Sequence, residues 1–172
     1  MRRFVLVVLV IAVAVLAGYF AAHRSASTAD SYNGDGQIRI PRPKTDGNGV
    51  NLEDEKASIP PGSDPRAGAL NALLLPSNNS NEEPAIPRGT KLRSVKVESG
   101  IATVDFTAEF NGLKQHGSTM ESLAQKSLRR TLAQFPEIQK MVILVEGKPF
   151  EGEHAEWNEP IPVRDENAGA PR

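Results

Sequence analysis

The chain has 172 residues, with 20 lysines and arginines against 21 aspartates and glutamates and a formal net charge of −1; this is length enough for one ordinary domain with accessory segments. A near-neutral chain with 5% aromatic residues offers neither the basic field nor the stacking platforms that nucleic acid requires, so no nucleic-acid partner is expected. The absence of cysteine removes disulfides, thiolate metal sites, cysteine nucleophiles and the acylated cysteine of a bacterial lipoprotein.

Met1-Arg2-Arg3 forms a short charged stub ahead of an uncharged run from Phe4 to Ala22. As a helix, the 19 residues of that run would measure about 28 Å, close to the roughly 30 Å hydrocarbon thickness of a bilayer. The run therefore reads as a transmembrane anchor or uncleaved signal. Ala22 and Ser25-Ala26-Ser27 also supply small residues for cleavage, while the length of the run favours retention. Arg2, Arg3 and the terminal amine outweigh His23 and Arg24, so the positive-inside bias puts the N-terminus in the cytoplasm and the remainder on the extracytoplasmic side.

Residues 23–63 are rich in Gly, Pro, Asp, Asn, Ser and Lys, with a few scattered aliphatics, and read as a flexible linker. Within them only Gln37-Ile38-Arg39-Ile40 alternates, in the manner of a short edge strand ended by Pro41 and Pro43. The folded unit is expected over residues 64–163. Asp64-Pro65 opens a short helix through Leu75 by capping and proline placement. Val95 and Val97 alternate with Lys96 and Glu98, Ser99-Gly100 makes a two-residue turn, and Ala102, Val104 and Phe106 give the partner strand a buried face. Ser118 and Glu121 have the spacing of a capping box, opening a long helix with Met120, Leu123, Ala124, Leu128, Leu132 and Phe135 at helical intervals. Pro136 ends it. Met141 to Val145 is apolar on both faces, the pattern of a central strand covered twice. Strand, helix and strand in succession predict a crossover with parallel outer strands. The expected architecture is a small two-layer α+β domain, one long helix on a mixed sheet, followed by a C-terminal flap carrying Trp157 and a disordered tail at 164–172.

Four segments in order carry a family resemblance: Ile86-Pro87-Arg88-Gly89-Thr90-Lys91-Leu92, then Val95-x-Val97, then Gly100-x-Ala102-x-Val104-Asp105, then Thr131-Leu132-Ala133-Gln134-Phe135-Pro136. Together they resemble the GerMN domain. Ala69 to Leu74 is similar to the family's short helix, and Val145-Glu146-Gly147-Lys148-Pro149 to its late hairpin, so the likeness covers roughly 65–163. Leu75-Pro76 replaces the usual glycine-proline. The resemblance implies an extracytoplasmic, non-enzymatic module without cofactor, first associated with sporulation and germination proteins and related in shape to ring-building motifs of envelope assemblies. A spore role does not follow from it, because the family also occurs in bacteria that make no spores.

The chemical motifs fall short of a reactive centre. Around Asn33-Gly34-Asp35-Gly36, placing Gly36 at the glycine of a calcium loop puts Arg42 where the bidentate glutamate belongs. His23, His116 and His154 lack metal-ligand spacing, and Ser118 lacks the glycines of a nucleophile elbow. Asp105 and Glu109 allow an acid-base pair on paper, but a turn-capping role suffices for Asp105. No catalytic, metal or cofactor residues are expected. The residues singled out for interaction are Val95 and Val97 on a sheet edge and Lys126, Arg129 and Arg130 on a helix face, for self-association or an envelope protein complex. Trp157, with Phe150, serves an alternative reading as a peptidoglycan or carbohydrate-binding module.

Overall fold

The computed structural model describes Tyr32 and residues 34–77, 83–157 and 159–164. The stub at 1–3, the anchor expected at 4–22 and the tail beyond Arg164 lie outside the described residues. Among the described residues, no helix is long and apolar enough to cross a membrane.

The body is α+β, as expected. Its principal sheet begins with β3 (Leu92–Glu98) and β4 (Ile101–Phe106), joined at Ser99 and Gly100 with φ of 50° and 80°. Two left-handed residues make the turn whose twist matches a tight hairpin. The helix α2 (Gly117–Ala133) follows after a 3-10 segment at Ala108–Gln115, and β5 (Lys140–Val145) then pairs parallel with β4 from Ile101↔Lys140 to Phe106↔Val145. The crossover expected from the strand-helix-strand pattern is therefore present. β6 (Lys148–Pro149) and β7 (Ile161–Pro162) both pair antiparallel with β5, giving the order β3-β4-β5-β6 with β7 also beside β5.

Ala124, Leu128 and Leu132 of α2 share one buried cluster with Val104, Phe106, Met141 and Ile143 of the sheet. The short helix α1 (Pro65–Leu74) adds Ala69, Leu70 and Leu73 to the same cluster. Asp64 caps it, accepting from Arg66 N–H at 2.8 Å. Both helices thus cover one face of the sheet, and β5 is not the doubly covered strand its composition suggested. Met141, Ile143 and Val145 are buried, while Val142 and Leu144 on the opposite face are only partly so.

The largest departure from the sequence reading lies in the expected linker. Within residues 23–63, β1 (Gln37–Asp46) and β2 (Gly49–Ser58) form a regular hairpin paired from Gln37↔Ser58 to Asp46↔Gly49. Ile38, Ile40 and Ile59 enter the main core. Few aliphatics suffice because polar groups do the fastening. With Asp46 and Gly49 as the closing pair, alternation turns the N–H positions of residues 39, 41 and 43 away from β2, so Pro41 and Pro43 break no rung of the ladder. At Arg39 the outward backbone groups meet the amide of Gln134: Arg39 N–H donates to Oε1 at 2.7 Å and Nε2 donates to the Arg39 carbonyl at 2.7 Å. One side chain stands in for a neighbouring strand.

Two further contacts hold the hairpin. The Arg42 guanidinium donates to the carbonyls of Ala72, Leu73 and Leu75 at 2.9, 3.0 and 2.6 Å, satisfying the orphan carbonyls at the C-terminus of α1 with a favourable charge. Arg130 of α2 donates to the Leu52 carbonyl at 3.0 Å and to Asp54 Oδ1 at 2.8 Å. At the other end of the body Arg164, assigned to the tail by composition, donates to the carbonyls of Ala133, Phe135 and Ile138, so it belongs to the folded body.

Replacing Gln134 by Ala leaves both outward Arg39 groups unpaired, which is expected to cost about 1–3 kcal/mol. A lowered denaturation midpoint measures the loss, and amide exchange should accelerate in β1 while β4 stays protected.

Candidate interaction surface

The six residues singled out from sequence do not converge. Val95 and Val97 are half-buried against the core, so their side chains face inward. Lys126 is exposed, but its neighbours are already engaged within the chain: Arg129 Nε donates to the Pro162 carbonyl at 2.7 Å, and Arg130 finds its acidic partner in Asp54. Two of the three cations on the helix face singled out for interaction thus fasten the C-terminal segment and the hairpin.

Trp157 corrects a second expectation. It is 1% exposed and Phe150 is equally buried, with the two rings edge-on at 5.2 Å and Phe110 edge-on to Trp157 at 6.2 Å. Neither offers a face to a sugar. What the sequence pattern did not reveal is the partner of the indole, Glu121, itself 1% exposed. Rather than forming a capping box, helix α2 starts at Gly117 with His116 as N-cap and no side-chain cap bond. Glu121 turns instead to the C-terminal segment: Oε1 accepts from Trp157 Nε1 at 2.7 Å and Ala155 N–H at 3.2 Å, and Oε2 from His154 N–H at 2.9 Å.

Burial alone would push the Glu121 carboxyl upward, but the hydrogen bonds from Trp157, Ala155, His154 and Glu153 together outweigh it and hold the group below the ordinary glutamate range. The clasp leaves no room at Gly152, where a Cβ would stand 1.7 Å from Glu121 Oε1 and 2.4 Å from Trp157 Cδ1.

Two other groupings have the outline of a site. Asp105, considered as one of an acid-base pair, has both oxygens committed: Oδ2 to Arg93 at 2.7 Å and Oδ1 to Gly147 N–H at 3.0 Å. It pins the β5–β6 turn and serves structure. A groove of about 400 Å³ lies between Pro84 and Pro87 on one side and Leu113 and Met120 on the other. Its rim carries Arg88, which pairs with Glu83 at 3.5 Å, together with Glu109 and His116, and its lining carries no hydroxyl or thiol nucleophile. Among the described residues, no cluster of His, Asp and Glu is arranged to hold a metal ion.

The remaining surface feature is the sheet itself. Ser94, Lys96 and Glu98 of β3 lie in register with Asp105, Thr103 and Ile101 of β4, and these with Leu144, Val142 and Lys140 of β5. All point away from the buried face, and no described helix lies over them. No described strand pairs with the outer edge of β3.

A mixed sheet covered on one face, with a β-hairpin bolted to the covering helices, defines a small α+β module of the GerMN type. The chain belongs to the Germane family, described as sporulation and spore germination, which matches residues 34–151. That match includes the hairpin. In fold the chain is similar to the tandem GerMN domains of the sporulation protein GerM from Bacillus subtilis (TM-score 0.60, 21% identity), covering 79% of this chain and 48% of that one. The first GerMN domain of the same protein matches with TM-score 0.51 and 23% identity over 74% of this chain and 95% of that domain. A protein from Clostridium perfringens assigned as a lipoprotein matches with TM-score 0.52 and 21% identity over 79% and 93% of the respective chains. The chain thus spans about half the tandem protein and nearly all of the single-domain structures. No curated protein sequence matches significantly.

Because the folded pKa of Glu121 lies below its unfolded value of about 4.3, its contribution to stability is complete above that value and lost as pH falls through the folded pKa. The single tryptophan reports this directly: acidification below about pH 4 should shift Trp157 emission to longer wavelength ahead of or together with unfolding. Glu121→Ala, which strands the buried Trp157 indole N–H and the part-buried N–H groups of His154 and Ala155, is expected to cost about 3 kcal/mol or more. Gly152→Ala should destabilise comparably, because its Cβ collides with the Glu121 carboxylate and the Trp157 indole. Unchanged thermal midpoints for both variants would remove the clasp from the account.

Proposed function

We propose that this chain is a non-enzymatic, membrane-tethered module of the bacterial envelope, acting outside the cytoplasm by contact with an envelope protein complex or with itself. Membership in a family described by sporulation and spore germination supports a role in one of those processes. The apolar run at 4–22 supports the anchor, and the likeness to a protein assigned as a lipoprotein supports attachment to a membrane.

The observation that carries the contact reading is a sheet face over which no described helix lies, beside a β3 edge with which no described strand pairs. Glu121, Gln134, Arg42 and Arg164 all hold main-chain groups. An uncovered edge is a ready template for another strand. The carbohydrate alternative has lost its two stacking rings to the core.

Two measurements in intact cells test this. Alkaline phosphatase fused after Arg164 should be active, and activity confined to a cytosolic reporter would remove the topology. A photoactivated cross-linker at Lys96 should capture an envelope protein or a second copy, whereas the same group at Lys44 on the hairpin should not. Equal, unspecific capture at both positions would defeat the edge as a contact surface.

A further inference from the structure

We infer that the outer edge of β3 pairs antiparallel with the same edge of a second copy of this chain, about a two-fold axis at Val97. The inference rests on the contact function proposed above and names its partner.

The direction of the backbone follows from the turn. Because Ser99-Gly100 is a two-residue loop, Glu98 and Ile101 form its closing hydrogen-bonded pair, and Lys96 with Thr103 forms the next. The N–H and C=O groups of Val95 and Val97 therefore point away from β4. No described residue takes them, since β3 is the last strand of its sheet. Toward its start the edge is interrupted: the register slips between Leu92 and Ser94, and the intervening Arg93 turns to Asp105 and Glu146 at 2.7 and 3.6 Å. Such a bulge blocks strand addition at that end. The usable edge runs from Val95 to Glu98.

Three antiparallel registers bring outward-pointing groups of two such edges together, and their charges separate them. Pairing Val95 with Val95 of the second copy sets Val97 against the bulged Arg93. Pairing Val95 with Val97 sets Lys96 directly opposite Lys96. Pairing Val97 with Val97 sets Lys96 opposite Glu98 twice, by symmetry, and exchanges both Val97 hydrogen bonds. Directly opposite like charges oppose association and unlike charges favour it, so the third register is selected. In it the two half-buried valine faces continue one another, as do the two bare faces.

The edge is short, and it buries far less than the roughly 1,200 Å² of a stable soluble interface. The pairing accordingly belongs to copies concentrated in one membrane by their anchors, and the full chain in membranes is the material to use.

The chain has no cysteine, so introduced ones report without background. In the selected register residues 96 and 98 of opposite copies form a non-hydrogen-bonded pair with Cα atoms about 4.5 Å apart, within disulfide reach. Lys96→Cys and Glu98→Cys chains carrying different tags and expressed together should form a mixed disulfide several-fold more than either forms with itself. Lys96→Glu alone and Glu98→Lys alone should each reduce self-capture by a photo-cross-linker at Ser94 several-fold, and the two combined in one chain should restore it. Val97→Pro removes the outward N–H at the cost of some half-buried side-chain packing, and should abolish self-capture while Trp157 emission stays native. Mixed disulfides no more abundant than self-disulfides, or a charge swap without rescue, would overturn the inference. Capture of a different envelope protein at Lys96, sensitive to Val97→Pro and without self-capture, would sink the second copy as partner yet leave the contact function standing. An exported chain that captures nothing at this edge would end both.

Discussion

Two parallel strands side by side cannot be joined by a turn, and the pairing of β4 with β5 therefore forces the chain off the sheet and back again. The excursion is α2, and nearly everything else in the body is arranged around it. Its apolar stripe seals one face of the sheet. Its two ends then serve as anchor points, Gln134 just past the C-terminus receiving the hairpin and Glu121 in the first turns receiving the C-terminal segment. The described covering elements all gather on the side of this helix, and no described helix lies over the opposite face of the sheet.

The two anchor points work by the same physics. In each, a side chain with paired acceptors or a matched donor and acceptor reaches buried main-chain groups that would otherwise lack partners. The arginines extend the pattern: Arg42 and Arg164 meet the carbonyls at the ends of the two helices, where unpaired acceptors and the dipole both favour a cation. A modest aliphatic content is enough for a body whose peripheral pieces are held by directed bonds. It also explains why the charged residues of α2 do not form a free basic face.

Much of the central unit could be read from residue order. Ser99-Gly100, the alternation on either side of it and the helical spacing from Leu123 to Leu132 are local signals, and local signals survive into the structure. The hairpin at 37–58 was hidden because its burial is confined to Ile38, Ile40 and the prolines, and its retention depends on Gln134, about 95 residues distant. No periodicity announces a contact of that range. The same limit applies to Glu121: at the sequence level a glutamate three residues after Ser118 looks like a cap, and only the approach of Trp157 from the C-terminal segment gives the carboxylate its stronger set of donors. Trp157 and Phe150 illustrate the converse case. Aromatic residues in a weakly patterned segment suggested a surface platform, yet in a domain this small they are the largest pieces available to fill the core.

Tyr32 and Arg164, at the two limits of the described body, both bind carbonyls between residues 133 and 138, Tyr32 to Gln134 and Arg164 to Ala133, Phe135 and Ile138. Entry and exit are neighbours. A unit of that shape can be spliced into a surface loop of another protein, or re-cut at a new starting point, without dragging its flanks across the fold. It can equally be duplicated head to tail with only a brief connector, each repeat hanging from the chain like a bead on a loop of thread.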